Sequence, residues 1–279
     1  MALPSISELV SLEGKCAIVT GAAQGFGAAI SRRLGEAGAT VFVADRNVEG
    51  AEQSAQRLRG LGCDVVAQSV DIADRDRVDA LVEAAAERAG RVDILVNNAG
   101  IFSNYYFSNM PPHEFADTVS VNVVGTFQMA QAVTQRMIAD GQGGSIVNIA
   151  SVDAFNTSAE GLSHYTTSKH AIGGMTKSMA IELAGHNIRV NAVCPGAAMT
   201  EGAIALVTAG APEGIDVEAQ WDGIKERTPL GRLCDPDDVA RAVLFLASDM
   251  SAFVTGAFLV VDGGILVQPL EGYVPASGH

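Results

Sequence analysis

Seven short runs rich in β-branched residues punctuate the chain: Lys15 to Thr20, Thr40 to Asp45, Val65 to Val70, Asp93 to Asn97, Ser145 to Ala150, Arg189 to Cys194 and Ala257 to Asp262. Helix-patterned segments lie between them, among them Val48 to Leu61, Arg75 to Ala89, Glu114 to Ala139, Ser163 to Ala184 and Pro236 to Ala247. The runs show little polar alternation, so each strand is expected to be buried on both faces. Consecutive runs are too far apart for tight hairpins, and crossover helices fit the gaps. The alternation predicts an α/β fold, a doubly wound, seven-stranded parallel sheet with helices on both faces. No Pro/Gly/Ser-rich linker and no internal repeat interrupts it, which favours a single domain over residues 1–279.

Charge and cysteine usage narrow the function. With 32 acidic against 18 basic residues, a net charge of -14 and no Lys/Arg block, the chain offers no surface for a nucleic-acid backbone. Cys16, Cys63, Cys194 and Cys234 form no C-x-x-C pair, so reduced, buried thiols are expected rather than a zinc knuckle or a disulfide framework. Met1 to Gly14 has no positive charge and no continuous apolar stretch, and no run approaches the roughly 20 apolar residues that span a bilayer. A cytoplasmic protein without membrane partners is expected. His164 and His170 are six apart, off a common helical face, and with His113, His186 and His279 they suggest no metal site.

The first strand ends in Thr20-Gly21-Ala22-Ala23-Gln24-Gly25-Phe26-Gly27 and runs directly into a helical pattern. Missing β-carbons let backbone N–H groups approach a diphosphate, and a helix amino end carries partial positive charge. The spacing is G-x-x-x-G-x-G, and no Gly-Lys-Ser/Thr follows, which argues against an ATP-binding loop. Asp45 closes the second strand 18 residues after Gly27. A carboxylate there can accept two ribose hydroxyls and would repel a 2′-phosphate, favouring NAD over NADP, although the neighbouring Arg46 could pair with that phosphate.

Tyr165 and Lys169 are four apart in a helical segment and so share a face. Tyrosine is a poor base at neutral pH, but an ammonium at ~4 Å in an effective dielectric of ~20 stabilises phenolate by roughly 4 kcal/mol, up to about three pKa units. A Tyr-x-x-x-Lys pair alone is common. Its company is not: Thr20 to Gly27, Asn97-Asn98-Ala99-Gly100, Asn122, Ser151, Tyr165, Lys169, Pro195-Gly196-Ala197-Ala198-Met199-Thr200 and Val261-Asp262-Gly263-Gly264 follow in order between Gly14 and Gly264. In these motifs the chain resembles the short-chain dehydrogenase/reductase family, whose fold is of the Rossmann type.

The resemblance implies a hydride transfer between NAD(H) and a secondary alcohol or ketone. Asn122, Ser151, Tyr165 and Lys169 fall at the family's catalytic positions. Tyr165 would exchange the hydroxyl proton, Ser151 would bond the substrate oxygen, Lys169 would lower the tyrosine pKa and bond the nicotinamide ribose, and Asn122 would hold a water through its backbone. The implied cofactor set is Gly21, Gln24, Gly25, Phe26 and Gly27, then Asp45 and Arg46, Asp71 and Ile72, Asn98, Ala99 and Gly100, with Tyr165, Lys169, Pro195, Gly196, Ala198 and Thr200. Asn97 is expected to bond across strands as support.

Phe102, Phe155 and Met199 are expected to bind substrate with Ser151 and Tyr165, and Tyr105, Tyr106, Phe107, Met110, Val152, Ala197, Leu206 and Trp221 are further candidates for the lining. This mostly apolar set suits a hydrophobic or cyclic substrate, while Asp153, Asn156 and Glu160 keep a hydroxyl-bearing one open. A lid is expected at 199–227 and a docking tail at 265–279, and the resemblance implies a homotetramer. Two rivals stand beside the NAD-linked enzyme. An NADPH-dependent 3-oxoacyl-type reductase is opposed by Asp45, and a catalytically silent NAD(P)-sensing protein is opposed by the intact catalytic set.

Overall fold

A computed structural model describes residues 3–204 and 217–268 of the chain. In order these form α1 (Ile6–Val10), β1 (Cys16–Thr20), α2 (Gly25–Glu36), β2 (Thr40–Asp45), α3 (Val48–Arg59), β3 (Val65–Ser69), α4 (Arg75–Ala89), β4 (Ile94–Asn97), α5 (Pro112–Val119), α6 (Thr126–Asp140), β5 (Gly144–Ile149), α7 (Ser163–Leu183), β6 (Ile188–Pro195), α8 (Val217–Arg227), α9 (Pro236–Ala247) and β7 (Phe258–Val261). Each expected strand is present to within one residue at either end. The expected lid falls partly on 205–216 and the expected tail on 269–279, which lie outside the described residues, as does the candidate pocket residue Leu206.

All seven strands pair in parallel in the order β3-β2-β1-β4-β5-β6-β7. The chain starts in the middle, winds outward to β3, then returns and winds the other way. Strand side chains alternate between two cores. Ala17 and Val19 join Ile30 and Leu34 of α2, Ala51 of α3 and Val243 of α9 on one face. Cys16 and Ile18 join Val78 and Leu81 of α4 and Met129 and Val133 of α6 on the other. This two-sided burial is why the strands read as nearly unbroken apolar runs. Local signals start the helices: Asn47 and Asp74 accept first-turn N–H groups of α3 and α4, and Asp235 closes a capping box on α9.

One expected helix is not regular. The segment expected to be continuous from Glu114 to Ala139 is α5 and α6 joined by a π-helical turn, Ser120–Gly125, with Asn122 inside it. Such widened turns carry i→i+5 bonds and recur at functional sites. Residue periodicity over so short a stretch does not distinguish it from an α-helix. The strand order reverses between β1 and β4, and in open parallel sheets a cleft forms there, at the strand carboxyl ends.

Candidate active site

The turn after β1 is built around missing side chains. Gly21 has φ +64°, and a β-carbon on it would come within 2.8 Å of Ala99 Cα. A β-carbon on Gly27 would meet Gly21 O at 2.2 Å and Asn98 Nδ2 at 2.7 Å. The turn is clamped from β4: Asn98 Nδ2 donates to Thr20 O and Gly21 O, both at 2.9 Å, while Thr20 Oγ1 accepts from the N–H groups of Asn98 and Ala99, both at 3.1 Å. Asn98 therefore uses its side chain to hold the turn. Gln24, at the amino end of α2, makes no side-chain cap to the orphan N–H groups there. A close-approach loop under an uncapped helix end fits a diphosphate.

Of the other expected nucleotide contacts, Asp45 and Thr200 border this turn. Asp45 accepts from Ala23 N at 3.1 Å and Asn47 N at 2.8 Å, so its carboxylate ties the end of β2 to the glycine turn. Arg46 beside it is exposed, as is Asp71, whose carboxylate accepts from Ala73 N; Ile72 is buried. From β6, Pro195 is buried and Gly196 N donates to Val261 O. Ala198 is buried too. Thr200 stands over the turn, its Cβ 3.4 Å from where a β-carbon of Gly25 would lie. Phe26, in the first turn of α2, packs half-buried against the core, and Gly100 faces the Asn122 side chain.

Ser151 follows β5, and Tyr165 and Lys169 lie on the first turns of α7. Lys169 is buried, its Nζ 5.3 Å from the Tyr165 ring centroid, and it donates to Ile149 O at 2.9 Å. Asn122 bonds Ile101 from both ends of its amide (Oδ1 from N at 2.8 Å, Nδ2 to O at 2.9 Å) and donates to Ser168 Oγ at 3.1 Å. Ser168 in turn donates to Tyr165 O. The four expected catalytic residues thus gather around the start of α7.

The electrostatics differ from the expectation that Lys169 draws the phenol down. Burial is the largest influence on both groups: it pushes the Tyr165 phenol well above its ordinary value and pulls Lys169 down to about 8. A hydrogen bond from Ser151 acts against the push on Tyr165, and the charge of Asp153 adds to it. Tyr165 retains some exposure, which softens the push. A dry pocket opposes an isolated phenolate and an isolated ammonium alike.

Sequence reasoning missed two buried polar clusters here. Asp153 accepts from Ser151 Oγ, Ser158 N, Ser158 Oγ and Thr166 Oγ1. His164, fully buried next to Tyr165, shares a 2.9 Å bond with Ser103 Oγ, which donates to Glu114; the His164 Nδ1 atom is buried and has no partner among the described residues. The only signal in the sequence is the excess of polar residues over 151–168. Asn97 behaves as expected, donating to Asn148 Oδ1 across β4 and β5, and Asn148 donates on to Thr176 of α7.

The expected substrate residues divide. Phe102 lies beside the phenol, ring centroids 5.5 Å apart. Phe155 packs edge-on against Phe258 of β7, ring centroids 5.6 Å apart. Met199, Tyr106 and Phe107 are exposed, Tyr105, Met110 and Ala197 are half-buried, and Val152 and Trp221 are buried. Of the expected buried thiols, Cys16, Cys63 and Cys194 are buried and Cys234 is only partly so; all four are free.

A family model described as enoyl-(acyl carrier protein) reductase matches residues 21–266. The chain is 37% identical over 262 residues to 5-keto-D-gluconate 5-reductase of Escherichia coli (strain K12), covering 94% of this chain and 99% of the relative. Among solved structures it resembles a gluconate 5-dehydrogenase from Burkholderia cenocepacia J2315 in complex with NADP and tartrate (TM-score 0.86, 35% identity, 95% of this chain and 100% of that one). It also resembles 3-ketoacyl-(acyl-carrier-protein) reductase from Brucella melitensis complexed with NADH (TM-score 0.83, 37% identity, 91% and 99%).

Proposed function

The chain belongs to the short-chain dehydrogenase/reductase family, oxidoreductases acting on hydroxyl and keto groups, and from that premise we propose that it oxidises a secondary alcohol, or reduces the matching ketone, with NAD(H) and with Tyr165 as general acid/base. The observation that carries this reading is Lys169 Nζ 5.3 Å from the Tyr165 ring, on one helix whose first turns face the end of β5. When bound, the nicotinamide cofactor accepts or delivers the hydride. Gly21, Gly25, Gly27 and the open end of α2 would hold its diphosphate, Asp45 its adenosine ribose, and Pro195 to Thr200 its nicotinamide end.

The chain's own contribution is proton handling and position. Tyr165 takes the alcohol proton in oxidation and returns it in reduction. Lys169 provides the positive charge that a phenolate needs in a dry pocket, and the lysine gains from the phenolate in turn. Ser151 fixes the reacting oxygen beside the phenol. Asn122 locks the loop after β4 onto α7 through Ile101 and Ser168, keeping the pocket's two walls in register.

Asp45 supports NAD over NADP, since a fixed carboxylate repels a 2′-phosphate. Phe102 against the phenol supports a hydrophobic or cyclic substrate. A second, more hydroxylated class is favoured by the similarity to a ketogluconate reductase. Assembly as a homotetramer is supported by exposed apolar residues on the long helices and their junction, Val124, Phe127 and Ile181. The free thiols support a cytoplasmic setting. Among the described residues no helix is long and apolar enough to cross a membrane.

The test is a steady-state screen of secondary alcohols and ketones followed by NADH absorbance, each run with both cofactors. Turnover with kcat/KM at least tenfold higher for NAD(H) is expected. A tenfold preference for NADP(H) would overturn the cofactor reading, and no turnover alongside normal NADH binding would overturn the enzymatic one.

A further inference from the structure

The loop between β4 and α5 carries Phe102, whose ring centroid lies 5.5 Å from that of Tyr165. Burial alternates along it: Ile101, Ser103 and Tyr105 are half-buried, while Phe102, Asn104 and Tyr106 are exposed. Side chains that alternate in this way lie on opposite sides of an extended backbone, so anchors on the inner side set where the outer side chains stand. Each inner residue is anchored. Asn122 bonds both backbone groups of Ile101, and Tyr105 N donates to Gly161 O at 3.1 Å. Between them, Ser103 Oγ donates to Glu114 Oε2 of α5 at 2.9 Å and lies 2.9 Å from Nε2 of His164, the residue before Tyr165 on α7.

The direction of these bonds follows from the groups that make them. A carboxylate only accepts, so the single Ser103 hydrogen goes to Glu114 and the imidazole is the donor toward Ser103. The Ser103 backbone also favours the protonated ring, as an acceptor does. Histidine, serine and a carboxylate are the residue types of an acyl-transfer triad, but that chemistry requires the imidazole to take the serine hydrogen. Here both hydrogens point toward Glu114, so the group holds the loop and does not activate Ser103. The end on α5 is a charge-assisted bond. The end on α7 is fully buried at His164.

We propose that His164 is a positioning residue: by donating to Ser103 it fixes Phe102 as an aromatic wall beside the phenol, against which the apolar group of an alcohol substrate is held. This rests on the reading of Tyr165 as the proton-transferring group. Because His164 and Tyr165 are consecutive on α7, the wall and the phenol share one support, and their separation is kept when the start of the helix moves. A loop that is already ordered loses no freedom when substrate arrives, so its ring adds more to affinity than the same ring on a mobile loop. The bond handles neither the proton nor the hydride. Its removal should therefore raise KM and leave kcat in place.

The experiment uses the full chain with NAD and cyclohexanol, 1-phenylethanol and 2-octanol, taking the alcohol that the wild type oxidises fastest. In Ser103→Ala and in His164→Leu, KM should rise about three- to tenfold, the worth of one hydrogen bond, with kcat within twofold of wild type. His164→Gln can set an amide N–H near the place of Nε2, and its KM should stay within twofold. KM unchanged in both disrupting variants, a loss confined to kcat, or a Gln variant no better than the Leu variant overturns the proposal. Deuterium exchange at backbone amides 101–107 should quicken about three- to tenfold in both disrupting variants, with β5 unaffected. Unchanged exchange in that loop overturns this inference and leaves the alcohol reading standing. If His164→Leu does not fold, Ser103→Ala decides by the same measurements. No oxidation of any of the three alcohols by the wild type would overturn the hydrophobic-alcohol reading of the site and this inference together.

Discussion

Where β1 and β2 meet the glycine turn, shape comes from atoms that are absent; around the start of α7, where the proposed catalytic residues gather, it comes from buried polar side chains. In the first region Gly21 and Gly27 stand where any β-carbon would collide with backbone. In the second, Asn97, Asn148 and Thr176 form one chain of bonds beneath the site, and Asn122, Ser168, Ser151, Asp153 and Thr166 hold its walls. The difference separates two kinds of tolerance. A backbone cradle fails when an added side chain forces the turn out of shape, while a polar scaffold fails by leaving buried partners unsatisfied.

The comparison breaks first, if it breaks, at Gly27. Replacing it with Ala puts a methyl 2.2 Å from Gly21 O, and overpacking of about 2–3 kcal/mol should weaken NADH binding on the order of a hundredfold by fluorescence titration. Affinity within threefold of wild type would mean the turn does not act as a rigid cradle.

On the catalytic side, Asn148→Leu should lower stability to urea by about 2–3 kcal/mol, because Asn97 Nδ2 and Thr176 Oγ1 lose buried partners. NADH affinity should stay within threefold of wild type. A variant of normal stability would show that the chain of amides is not what holds β4, β5 and α7 together.

The smallest effect is expected far from both regions, where Arg33 of α2 meets Asp237 of α9 at 2.6 Å with about a third of each side chain exposed. Arg33 holds the Asp237 carboxyl below its ordinary value of 3.8. Stability from this pair is present above that value and is lost as pH falls through the lower, folded-state one. Arg33→Ala should therefore cost under about 1 kcal/mol at pH 7, and the difference should vanish once the pH is low enough to protonate Asp237 in the folded protein. A gap that persists in acid would trace to lost packing rather than charge.

The two regions were also unequally legible in the sequence. Strand boundaries and the glycine turn could be read because their physics is local: unbroken apolar runs mean two-sided burial, and a glycine cluster between strand and helix means close backbone approach. Tyr165, Lys169, Ser151 and Asn122 could be placed by order and by resemblance. Asp153 was read only as a possible polar contact, and the bonds of His164 were not foreseen, because their partners come from segments that only the fold brings together. The widened turn at Ser120–Gly125 escaped because one extra residue in a helical turn leaves the apolar pattern almost unchanged. The lowering of the Lys169 pKa to about 8 escaped because it depends on burial, which pattern alone does not measure.

The most direct test of the central claim is Tyr165→Phe, with NADH affinity and turnover measured on the same preparation. The phenyl ring can still pack beside Phe102, but it has no proton to give or take. NADH binding within threefold of wild type and a loss in kcat of about 10²- to 10⁴-fold are predicted. Turnover within tenfold of wild type, with binding intact, would contradict the account.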